Sequence, residues 1–88
     1  MEVIDIPSNG IVYQVEGNAV IKKLSSAGYS DVMIDIVIEN GDILLIKAGS
    51  IVGIKFAGNT YIENEPQNCD KFITFDANSS QKKPELEN

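Results

Sequence analysis

Histidine and arginine are absent from this 88-residue chain, and cysteine occurs once. Without histidine, the usual proton shuttle near neutral pH and the common imidazole metal ligand are both missing. Cys69 has no imidazole to activate it as a nucleophile and is assigned a structural or incidental role. A lone cysteine makes no intramolecular disulfide, which agrees with a reducing compartment. Basic charge is scarce: seven lysines face 13 acidic residues, for a formal charge of −6. Such a field repels a phosphate backbone, so nucleic acid is not an expected partner. No apolar run approaches the ~20 residues of a membrane span, and the first residues lack a basic stretch followed by an apolar one. No membrane partner is expected, and the chain is expected to remain in the cytoplasm or in a particle assembled there.

The composition, 43% hydrophobic and 23% charged with three prolines, is that of a folded chain rather than a disordered one. A single domain of this size buries only roughly 60% of its extended surface, and oligomerisation is the natural remedy.

The most informative stretch is 41–62. Asn40-Gly41-Asp42 signals a turn, since glycine reaches positive φ and Asn and Asp bond their own backbone. The apolar run Ile43-Leu44-Leu45-Ile46 follows and predicts a strand covered on both faces, with Leu45 in the core, where Leu45→Ala would cost about 2–5 kcal/mol. Residues 51–56 and 60–62, joined through Gly58-Asn59, predict a hairpin. Upstream, residues 1–6 read as a short strand or an arm ended by Pro7. Residues 11–16 and 19–24 read as a first hairpin turned by Glu16-Gly17-Asn18, and 25–31 as a loop. Five β-branched residues among the seven of 32–38 favour one strand there, with Asp35 facing solvent or a neighbouring subunit. Residues 71–76 alternate as a last strand, and 77–88 form a polar tail. The domain is therefore set at 1–76, with residues 1–7 as an N-terminal arm.

Gly41-Asp42 opening a strand, Leu45-Ile46 closing it, Lys55 before the turn, Gly58 in it and Tyr61-Ile62 on the return, with Gly17, Val20 and Ile21 upstream, together resemble the carboxyl half of the chaperonin-10 (GroES-like) family of co-chaperonins. The resemblance covers residues 17–62 and rests on collinear spacing. It implies an all-β fold, a small GroES-like β-barrel of antiparallel strands and hairpins without substantial helix. In rings of that family the final strand of one subunit pairs with the first strand of the next. An oligomer interface of Ile11, Val12 and Tyr13 with Phe72, Ile73 and Phe75 is thereby implied. The family docks on a chaperonin through a long loop ending in an apolar tripeptide. Here only Glu16-Gly17-Asn18 stands at that place, unless Gly10, Ile11 and Val12 serve as the docking segment.

Catalytic arrangements are not evident. Asp31 with Asp35, and Glu63 with Glu65, are the nearest carboxylate pairs, and a solvated acidic rim accounts for them, since nothing sets one member apart from the other. No D-x-[DN]-x-[DN]-G loop is present for calcium. Gly49 and Gly53 lack the Gly-Lys-Ser/Thr and following helix of a phosphate loop. Lys22-Lys23 and Lys82-Lys83 read as solvated pairs, and Asn78-Ser79-Ser80 as a chance sequon. No enzyme activity, cofactor or metal is expected. Two functions follow. The first is a non-enzymatic, self-associating barrel that serves as a structural or assembly component, such as a capsid decoration protein in a virion. The alternative is a co-chaperonin capping a chaperonin. The partners are then further copies of the chain and a larger assembly, a capsid or a chaperonin.

Overall fold

Runs of alternating and β-branched residues leave little room for helical periods, and strands carry the architecture. The computed structural model of the protein describes residues 2–5, 9–57 and 60–76, and among these there is no α-helix. The strands are β1 (Glu2–Asp5), β2 (Gly10–Glu16), β3 (Ala19–Lys22), β4 (Ser30–Asp31), β5 (Val37–Ile38), β6 (Ile43–Ile46), β7 (Ile51–Phe56), β8 (Thr60–Glu63) and β9 (Lys71–Asp76). They form a five-stranded sheet, β1-β9-β6-β3-β4, and a four-stranded sheet, β5-β2-β7-β8. The fold is all-β. Its core lies between the sheets, with Leu44, Ile46, Ile73, Phe75 and Ile21 from one and Val12, Val52, Ile54, Phe56 and Ile38 from the other.

The first hairpin does not form. β2 pairs with β5 and β7, whereas β3 pairs with β4 and β6, so the chain changes sheets between β2 and β3. Gly17 makes that corner at φ 89°, a left-handed conformation that glycine adopts without penalty, and a Cβ there would collide with the Ser50 side chain. Buried Ser50 accepts a hydrogen bond from Asn18 N at 2.8 Å, and Lys47 N donates to Asn18 O at 3.0 Å. These bonds lock the corner to the turn between β6 and β7.

Residues 32–38 are not one strand either. Only Val37–Ile38 is paired, because Asp35 sits at φ 77° and Ile36 N bonds Met33 O at 3.2 Å, which turns the chain. Asp tolerates this conformation better than most residues, and its position outweighs the β preference of its neighbours. The turn links the sheets: Val32 N donates to Ala19 O, Asp35 N to Val12 O, and Val12 N to Ile36 O, at 2.8–3.0 Å. The predicted loop at 25–31 ends in β4, which pairs with β3.

β6 is covered on one face only. Leu44 is 0% exposed and Ile46 buried, while Ile43 and Leu45 alternate to the outer side and are half-buried. Leu45 is thus outside the core, contrary to its expected place. The last strand departs from expectation as well, because both edges of β9 are occupied within the chain, by β6 antiparallel and by β1 parallel. The parallel pair is also a departure from an all-antiparallel arrangement. The hairpin of β7 and β8 forms as expected, with Phe56 opposite Thr60 and Ile54 opposite Ile62. Its turn residues, 58–59, and the tail, 77–88, lie outside the described residues.

Leu44→Ala is expected to cost about 2–5 kcal/mol and Leu45→Ala roughly 1 kcal/mol in the isolated subunit. Urea denaturation of the two variants checks this. Equal losses would contradict the assignment of the two faces.

Candidate functional site

Two glycines on neighbouring strands shape the four-stranded sheet, Gly10 on its core side and Gly53 on its outer side. Gly10 lies under the Phe56 ring, where a Cβ would come within 2.5 Å of Cε1. Between Val12 and Gln14 the register of β2 against β7 slips by one residue, so Tyr13 is the extra residue of a β-bulge. A bulge re-aims side chains, and here the Tyr13 ring lies across Gly53, where a Cβ would meet Cζ at 2.8 Å. Beside the bulge opens a groove of about 450 Å³, lined among others by Ile11, Tyr13, Ile34, Asp35 and Lys55. Ile11 and Ile34 are 47% and 52% exposed, and Val37, also exposed, stands directly opposite Ile11.

A second apolar surface covers the outer face of the five-stranded sheet. Phe72, Leu45 and Val20 stand in one row across β9, β6 and β3, and Asp31 continues it on β4. Val3, Thr74, Ile43 and Lys22 form the adjacent row. Phe72 is 41% and Val3 59% exposed.

The structure redistributes the residues expected at an interface. Ile11 and Phe72 are exposed, but on different sheets. Tyr13 is half-buried at the groove, while Val12, Ile73 and Phe75 are buried in the chain's own core. With β9 paired on both edges, strand pairing through Phe72, Ile73 and Phe75 has no open edge to use. Gly10, Ile11 and Val12, the alternative docking segment, belong to paired β2, and Gly10 is buried. Val3, Val20, Ile43 and Leu45 were missed as surface residues. The four-residue apolar run of β6 was the signal for half of them, since such a run asks for cover on both faces. Asp35 is exposed, as expected.

Polar chemistry concentrates at one place. Asp42 is buried, and its Oδ2 accepts from Lys23 Nζ and from Glu39 N at 2.7 Å, whereas Oδ1 has no hydrogen-bond partner. Lys23 Nζ also contacts Glu39 Oε1 at 3.0 Å and donates to Val37 O at 2.8 Å. Lys23 is therefore not the solvated cation its sequence neighbourhood suggested. Burial pushes its pKa down, but hydrogen bonds to Asp42 and Glu39 outweigh this and hold it above the ordinary 10.5. At the opposite turn, Asp70 accepts from Ala48 N at 3.0 Å and from Lys47 Nζ at 3.1 Å. These bonds hold its carboxyl below the ordinary 3.8. Cys69 is exposed, and among the described residues no three His, Cys, Asp or Glu side chains group as a metal ion requires. The Glu63 side chain and the sequon lie outside what is described. Among the described residues the ion pairs join Lys23 to Asp42 and Glu39, and Lys47 to Asp70.

No protein-family model matches the chain, and no curated protein or solved structure matches it.

The raised Lys23 pKa contributes stability that is full below its ordinary value and lost as pH rises through the folded value, above about 10.5. The lowered Asp70 pKa contributes stability present above about 3.8 and lost as pH falls through the folded value. Lys23→Met, which strands a buried carboxylate, is expected to cost about 3 kcal/mol near neutrality and to flatten the alkaline limb of the stability profile. Urea midpoints across pH check both limbs. An alkaline limb unchanged in Lys23→Met would contradict the assignment.

Proposed function

We propose that the protein is a non-enzymatic assembly component that packs the outer face of its five-stranded sheet against further copies of itself within a larger protein assembly. The observation that carries this reading is β6: all four residues are apolar, yet the subunit buries only Leu44 and Ile46 and leaves Ile43 and Leu45 partly covered. Antiparallel sheets with one wet face alternate apolar and polar residues, and contiguous exposed apolar patches mark interaction sites. Here Val3, Val20, Ile43, Leu45 and Phe72 replace the polar side of that alternation.

Area sets the kind of assembly. Five strands about 4.8 Å apart, with two rows of outward side chains, give a face of roughly 300–450 Å². Two such faces bury about 600–900 Å², less than the ~1,200–2,000 Å² of a stable pair. A single contact is weak, and a stable particle requires each subunit to touch several neighbours, as in a ring or a shell. The finer reading of the fold as a GroES-like barrel draws support from the collinear residues 17–62 and from the turn at 32–36 that links the sheets. A capsid-decorating role suits a small acidic subunit of this kind. The co-chaperonin alternative draws less support, since its docking segment would have to leave paired β2 and expose Val12, which is fully buried.

Sedimentation velocity from ~10 μM to ~1 mM is expected to show mass rising with concentration. The double variant Leu45→Ser/Phe72→Ser should remain folded and monomeric throughout. A wild-type monomer at every concentration, or association untouched by the double variant, would overturn the proposal.

A further inference from the structure

The groove beside the β2 bulge combines an apolar wall with one carboxylate. Ile11, Tyr13 and Ile34 supply the apolar part, and Asp35 stands among them in its left-handed conformation. Non-glycine residues held at positive φ cluster at active sites, ligand clamps and switch regions. The ion pairs of the described residues do not include Asp35. Lys55, also lining the groove, has an interaction of its own.

These features restrict what can fill the groove. A purely apolar occupant would cover Ile11 and Ile34 but would strip water from the Asp35 carboxylate and leave it unpaired, which is costly. An acidic occupant would meet a carboxylate on a chain already at −6. A lysine or arginine side chain satisfies both walls: its methylene stem lies on apolar surface while its charged end bonds the carboxylate. The volume, about 450 Å³, falls in the range of sites that take a few residues or a small ligand.

We infer that this groove is a binding site for a basic side chain with apolar neighbours, presented by an extended segment of another protein, with Asp35 as its counter-charge. The groove belongs to the four-stranded sheet and its occupancy is independent of self-association through the other sheet.

Three capped tripeptides serve as probes: acetyl-Leu-Lys-Leu-amide, its norleucine analogue, which keeps the stem without the charge, and its glutamate analogue. Each is titrated into the full chain, using the associating-face variant Leu45→Ser/Phe72→Ser to keep the spectra those of a monomer, and followed by amide chemical shifts. The lysine peptide is expected to shift Ile11, Tyr13, Ile34 and Asp35 and to bind about tenfold tighter than the other two, the equivalent of about one charge-assisted hydrogen bond. Asp35→Asn should equalise the lysine and norleucine peptides while leaving the remaining shifts in place, because asparagine also tolerates positive φ. Tighter or equal binding of the glutamate peptide, a lysine preference that survives Asp35→Asn, or no shift at these residues at millimolar lysine peptide would each overturn the inference.

Discussion

Each sheet has to bury one face, and in a chain this short only the other sheet is available to cover it. That constraint explains why consecutive strands so often fail to pair. β2 and β3 would make a serviceable hairpin, but Val12 and Val15 on one and Ala19 and Ile21 on the other are more fully covered when the strands join opposite sheets. The corner at Gly17, tied to Ser50, and the turn at Asp35, tied to Val12, are the local devices that permit the crossing. Phe56 seated on Gly10 fills the space so created.

The outer faces carry what the inner faces do not need. On the five-stranded sheet the second side of β6 remains apolar, with Phe72, Val20 and Val3 in the same rows and Asp31, Lys22 and Thr74 among them. On the four-stranded sheet the bulge at Tyr13 breaks the regular pleat and opens a groove in which apolar side chains surround a carboxylate. The buried Asp42, held by Lys23 and the Glu39 amide, plays a different part: it fixes the turn into β6.

Much of the strand content was legible in the sequence, because β7 and β8 are β-rich runs around a Gly-Asn turn and β9 alternates in the ordinary way. The partnering was less legible. Nothing in Glu16-Gly17-Asn18 says whether a tight turn returns along the same sheet or crosses to another; that depends on Ser50, more than thirty residues away. The residues 32–38 misled because composition favours a strand, while a single Asp in a left-handed conformation decides the path. Of the candidate interface, Ile11 and Phe72 are exposed, but Val12, Ile73 and Phe75 look like them in composition and face inward. The apolar run at Ile43–Ile46 is buried on one face and partly covered on the other, and the proposed assembly rests on that second face.

In the proposed assembly a neighbouring subunit, not water, covers Val20, Ile43 and Leu45. Paramagnetic relaxation of methyl groups by a soluble nitroxide, recorded at low and at millimolar protein concentration, measures that cover directly. The account predicts that the Val20, Ile43 and Leu45 methyls become protected as concentration rises, while the exposed Leu24 and Ile34 methyls keep their relaxation enhancement. Unchanged enhancement at Val20, Ile43 and Leu45 across the whole range would contradict it.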